Sequence, residues 1–336
     1  MSKIRDPYWD NIKGFLIILV VFAHCLYGLI GKDINNLIVV TIYYFHMPAF
    51  VFVSGYFSKG ENARSRYSIW KLIVAYILIS APFIIRAFYL GASIHILKPY
   101  FSAWYILALI IWRLITPQIA KFPGILPIVI VLSVLLGFWA EVNGCKILAI
   151  NKIVTFFPFF LGGYLLQRET VDHSIRNKPA WVKLCLGAAC AILGACIIYV
   201  SRLQLDVKLW NLLPNEYREV GWEEPLIRVS IIAVSFFIIT AIMFLTTEKE
   251  IPYLTKIGRN SLAIYIFHRI FTLWYYNSEF INGLQARYQI LGALMLTMAI
   301  TLFFGAEWFS KGLNGFLNAC ARKLATGYAG DNRAST

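Results

Sequence analysis

The chain has 336 residues, of which 59% are hydrophobic and 14% charged, against about 25% charged residues in ordinary soluble domains; with a mean hydropathy of +0.67, a water-soluble globular fold is excluded. The formal charge of +14 invites a nucleic-acid reading. The basic residues, however, fall between apolar stretches rather than along one polar face, so topology explains them and no nucleic-acid partner is expected.

Apolar stretches long enough to cross a hydrocarbon core about 30 Å thick recur along the chain. They predict an all-α, polytopic integral membrane bundle of about ten transmembrane helices, over approximately residues 12–31, 35–58, 69–91, 100–116, 124–141, 148–167, 182–201, 225–246, 258–276 and 288–309. One membrane-embedded domain, 1–318, is expected, followed by a disordered cytoplasmic tail, 319–336, with no apolar span.

The first span follows Lys3 and Arg5, but its apolar run from Ile12 to Ile30 is too long for a signal-peptide core and has no small-x-small cleavage site, so it is read as a retained helix. Asp10, Lys13 and His24 share one face of it. Lys13 and His24 point within about 20° of each other, and Asp10 lies about 40° from His24. That face runs from a charged cytoplasmic end to an imidazole about 16 Å deeper, which suits an anionic donor held at one end and reacting at the other. The bland alternative is a surface i,i+3 pair with a packing histidine.

The second span reads Tyr43-Tyr44-Phe45-His46-Met47-Pro48 and then Ser54-Gly55-Tyr56. Pro48 removes a backbone donor and is expected to kink the helix one turn beyond His46, freeing carbonyls near the membrane centre. The following loop, 59–68, is basic, with Lys59, Arg64, Arg66 and then Lys71. Trp104-Tyr105 opens the fourth span. The 202–224 segment, with Asp206, Lys208, Glu216, Arg218, Glu219, Trp210 and Trp222, is a long external loop, suited either to touching a polar substrate or to anchoring at the interface.

In the ninth span Ser261, Tyr265 and His268 recur at i, i+4 and i+7, a polar stripe that must face protein rather than lipid. His24, His46 and His268 thus all lie midway along spans, where ionisable groups are site candidates by default. No His-x3-His or His-Glu helical pair occurs, so no metal is expected. The six cysteines (Cys25, Cys145, Cys185, Cys190, Cys196, Cys320) form no CxxC pair and are read as packing thiols. About 20 of the 31 Lys and Arg fall on one side of this map, which places both termini in the cytoplasm.

Several segments together resemble the acyltransferase-3 family, in its branch similar to fucose 4-O-acetylases. They are Tyr8 through Gly14 with ten residues between Lys13 and His24; Phe45-His46-Met47-Pro48 through Ser54-Gly55-Tyr56; Trp104-Tyr105; Phe157 through Tyr164; and Gly258 through His268. The resemblance implies a multi-pass protein of the cell's inner (plasma) membrane that takes acetyl-CoA, or another acyl-CoA, from the cytoplasm and acylates a saccharide or lipid-linked glycan. It casts His24 as general base or transient acetyl carrier, with His46 and His268 orienting it, polarising the thioester or binding the acceptor.

On the same resemblance, Lys13, helped by Arg64, Arg66 and Lys71, is the candidate holder of the CoA phosphates, although topology control equally explains the loop cations. Relatives often carry Arg at the Lys13 position; Lys keeps the charge without the planar fork. Ser54 belongs with the donor-binding group and, with Ser261 and Tyr265, offers hydrogen bonds to an oxyanion, while Asp10 and Trp104 complete the substrate side. The competing readings are a transporter using the same histidines for proton or substrate coupling, and a non-catalytic component of a glycan-assembly complex.

Overall fold

The computed structural model describes residues 6–29, 38–39, 41–92, 99–143, 147–204 and 223–331, and no strand occurs among them. The principal helices are α1 (Pro7–Leu26), α2 (His46–Tyr56), α3 (Arg66–Tyr89), α4 (Ala103–Ile119), α5 (Ile125–Asn143), α6 (Ile150–Leu165), α7 (Ala180–Gln204), α8 (Glu223–Leu245), α9 (Pro252–Arg259), α10 (Ser261–Asn277), α11 (Ala286–Phe304) and α12 (Glu307–Asp331). Among the described residues, four helical segments are long and apolar enough to cross a membrane: Pro7–Leu29, Arg66–Tyr89, Arg228–Leu245 and Ala286–Phe304. A fifth candidate is the pair Arg168–Arg176 and Ala180–Cys196, bent by 103°. The 205–222 part of the expected external loop and Cys145 lie outside the described residues.

Helix α1 is central. Asp6 caps it by accepting the Tyr8 N–H, and Pro7 fills the first turn, where no N–H is needed. Leu16, Ile17, Val20, Val21 and Cys25 are fully buried along it, because α2, α9, α10 and α11 pack around it. Two close crossings use glycine. A Cβ on Gly14 or Gly258 would collide with the backbone of α9 or α1 respectively, at Leu254 and Asp10, and a Cβ on Gly55 or Gly163 would collide with the backbone at Phe160 or Phe52. Thus α1–α9 and α2–α6 meet backbone to backbone, the small-residue packing that membrane helices use in place of a hydrophobic driving force.

Three expectations are corrected. The break near Pro48 falls before His46, not beyond it, and α2 begins at His46 itself. Proline at position 48 cannot donate to the carbonyl of Tyr44; the Ser235 hydroxyl of α8 takes that carbonyl instead, at 2.6 Å. The ninth span is interrupted at Asn260, between α9 and α10, where the Asn260 side chain donates to the Gly305 carbonyl at 2.7 Å. Residues 319–331, expected to be disordered, continue α12. Leu317 and Ala321 are fully buried on its face against α3, while Arg322 and Lys323 are exposed, so an amphipathic helix needs no full apolar span to be held.

Candidate functional site

The first and ninth predicted spans bring two of the three histidines into contact. His24 Nδ1 lies 2.9 Å from His268 Nε2. Their ring planes differ by 9° with centroids 5.2 Å apart, so the rings meet edge to edge through that hydrogen bond rather than face to face. His268 Nδ1 faces the Tyr265 carbonyl at 2.8 Å and the Ile264 carbonyl at 3.3 Å.

A carbonyl only accepts, so His268 carries its proton on Nδ1 and presents a bare Nε2. In the neutral pair His24 must then donate through Nδ1, which leaves the lone pair of His24 Nε2 for chemistry. His268 is fully buried while His24 is half-buried, so the ring with the available lone pair is also the accessible one. This chain of carbonyl, imidazole and imidazole fixes the tautomer and orientation of His24, a geometry able to present a base, as a buried carboxylate does for the histidine of a hydrolase triad.

His46 stands beside the pair, its centroid 6.2 Å from that of His24 and its plane perpendicular. Its Nδ1 donates to the Ile42 carbonyl at 2.8 Å, and its buried Nε2 has no hydrogen-bond partner among the described residues. Tyr43 lies against both rings, with centroids 4.7 Å from His46 and 6.1 Å from His24.

The expected oxyanion donors are largely committed. Tyr265 donates its hydroxyl to the Ser102 carbonyl at 2.6 Å. Ser54 donates to the Phe50 carbonyl at 2.9 Å, so the Tyr105 hydroxyl, 2.5 Å away, is the donor in the Ser54–Tyr105 contact. Ser261 is half-buried at the start of α10. The stripe it shares with Tyr265 and His268 does face protein, since Tyr265 and His268 are buried. Trp104 is buried against Phe156, with Lys152 over its ring at 5.3 Å.

At the other end of the α1 face, Asp10 is 1% exposed and bridges Lys13, at 2.6 Å, and Arg259 of α9, at 3.4 Å; Arg259 also pairs with Glu250 at 2.9 Å. Lys13 lies over the exposed ring of Phe57 at 5.4 Å. Arg64 is half-buried, Arg66 exposed, and Lys71 donates to Asn314 of α12 at 3.0 Å. Burial pushes the ammonium of Lys59 below its usual pKa, with Glu169 acting in the opposite sense. Sequence reasoning missed Arg113 of α4, which donates to Ser58, Ser68 and the Ala63 carbonyl and so ties the basic loop down. It also gave no role to Arg259 or Arg269. The fold rather than a local spacing brings Asp10 to Arg259 and the Phe101 ring to Arg269.

A family described as an acyltransferase domain matches residues 6–306. Over 219 residues the chain is 26% identical to the nodulation protein NolL of Sinorhizobium fredii, covering 55% of this chain and 56% of that one. Over 68 residues it is 43% identical to the nodulation protein NolL of Mesorhizobium japonicum, covering 19% and 18% respectively. The chain thus spans about half the length of the first relative and less of the second. No solved structure matches.

Proposed function

Because the chain belongs to the acyltransferase family whose domain covers residues 6–306, we propose that it is a membrane-embedded O-acetyltransferase moving an acetyl group from acetyl-CoA to a hydroxyl of a cell-surface saccharide or lipid-linked glycan. In this reading it crosses the cell's inner membrane ten times with both termini cytoplasmic, in line with the basic-residue asymmetry. The observation that carries the chemistry is the His24–His268 hydrogen bond. His24 Nε2 takes the proton of the acceptor hydroxyl as its oxygen attacks the thioester carbonyl. The C–S bond then breaks, and the imidazolium returns the proton to the departing CoA thiolate. Lys13, at the opposite end of α1, holds the CoA phosphates with the loop cations behind it. His46 Nε2 accepts a hydrogen bond from the acceptor and aligns it.

The same Nε2 lone pair serves a route through acetyl-imidazole, in which His24 itself carries the acetyl group. Rapid quenching with acetyl-labelled CoA and no acceptor distinguishes the two, since only the second leaves label on His24. Family membership weighs against the transporter reading. The decisive experiment is transfer from labelled acetyl-CoA to a glycan acceptor by purified protein, alongside cell-surface glycans compared with and without the gene for an alkali-labile ester. Label in the glycan is expected. Absence of both signals from folded protein would overturn the assignment.

A further inference from the structure

Arg269 follows His268 directly in α10, and no step above uses it. It is 7% exposed. Its Nη2 donates to the Tyr276 hydroxyl at 3.3 Å, and the guanidinium lies 5.1 Å from the Phe101 ring centroid and 5.6 Å from that of Tyr276. Among the described residues, the buried Nη1 has no hydrogen-bond partner, and no carboxylate lies within ion-pair distance of it. Aromatic faces and a phenol attract a cation, but they do not neutralise it. Among the described residues, a buried arginine held this way inside an apolar helix has no counter-charge of the kind such groups require, and ionisable groups of this kind mark substrate paths.

The guanidinium reaches toward Tyr276, seven residues farther along α10 and away from the Asp10–Lys13 end of the bundle. In the proposed topology that direction leads from the histidine pair to the side given to the acceptor. The surroundings there are aromatic: Tyr27 and Tyr43 stack with centroids 5.6 Å apart, and Tyr43 continues to His46. A planar fork with free donors matches a carboxylate or a phosphoryl group, and aromatic faces pack against the C–H faces of sugar rings.

We propose that Arg269 anchors an anionic oxygen group, carboxylate or phosphoryl, carried by the saccharide acceptor, with Tyr27, Tyr43 and Tyr276 lining the path of its sugar rings to His24. This rests on the acetyl-transfer reading and adds the acceptor's chemical class. The test uses purified full-length protein in neutral-lipid nanodiscs, with binding followed by calorimetry in the absence of donor. The probes are a tetrasaccharide ending in glucuronic acid, its carboxyl-reduced neutral counterpart, and a monosaccharide linked to a polyprenyl phosphate.

At least one anionic probe is expected to bind about tenfold more tightly than the neutral one, with a preference that weakens in salt. Which arm responds separates a uronate from a lipid phosphate. Arg269→Gln should abolish the preference. Arg269→Lys, which keeps the charge but loses the fork, should reduce it, and decides the matter if the Gln variant does not fold. Equal or undetectable binding of all three probes to wild type, or an unchanged preference in either variant, overturns the proposal. Anion preference without acetyl transfer when donor is added would retain Arg269 and refute the acetyl-transfer reading. Transfer to charged and neutral acceptors alike would do the reverse.

Discussion

Removing His268 tests whether the histidine pair acts as a unit. In His268→Ala, the His24 Nδ1–H loses its acceptor at 2.9 Å, and nothing then holds the ring with Nε2 toward the acceptor. During transfer His24 becomes cationic, so the missing contact is a charge-assisted hydrogen bond, worth about 1.5–3 kcal/mol. At 1.36 kcal/mol per decade, kcat should fall roughly 10- to 150-fold, less than the roughly 10²–10⁴-fold loss expected when the base itself is removed in His24→Ala. The assay is label transfer from acetyl-CoA to acceptor per monodisperse molecule, which separates chemistry from abundance. Because His268 acts only through His24, the double variant should be no slower than His24→Ala alone. A His268→Ala enzyme with kcat within about twofold of wild type, or a double variant whose losses multiply, would refute the relay.

Lys13→Gln leaves the Asp10–Arg259 contact in place and should raise the KM for acetyl-CoA by about tenfold with little change in melting temperature; an unchanged KM removes Lys13 from the donor site. Lys13→Glu is the poorer test, since it sets a carboxylate beside buried Asp10 and should reduce folded yield as well. Gly163→Ala forces a methyl group into the backbone at Phe52 and should destabilise by about 1–3 kcal/mol, whereas Gly312→Ala, with open space around it in α12, should be neutral or stabilise by up to about 1 kcal/mol; thermal unfolding in one detergent compares them. Ser235→Ala strips the donor from the Tyr44 carbonyl and should lower stability by about 1–3 kcal/mol; no change would mean that another group takes over the carbonyl freed by Pro48. In the proposed topology, cysteines placed at positions 64 and 215 should label from opposite membrane faces, and labelling from the same face would refute the map.

Much of this protein is legible in its residues because the bilayer is a simple solvent. Apolar runs and the period of 3.6 residues suffice to mark an all-helical chain, in which four helical segments of the described residues are long and apolar enough to cross a membrane, to place Asp10, Lys13 and His24 on one face of α1, and to aim Tyr265 and His268 into protein. Depth along a helix follows from counting, so three histidines at similar depth were visible as a group. Which two of them touch was not, since a period gives direction on one helix but neither the rotation nor the separation of two.

The approach of α1 to α10 depends on packing among several helices, including the glycine crossings at Gly14 and Gly258. Only that packing brings His24 to His268, and the Tyr265 and Ile264 carbonyls decide which nitrogen of each ring holds its proton. Pro48 announced a break, but the side on which it fell depended on a hydroxyl from α8, 187 positions away in sequence, that could receive the Tyr44 carbonyl. The charges behave alike: a sequence shows that Asp10, Arg259 and Arg269 exist, whereas the fold pairs the first two and, among the described residues, leaves a buried nitrogen of the third without a partner.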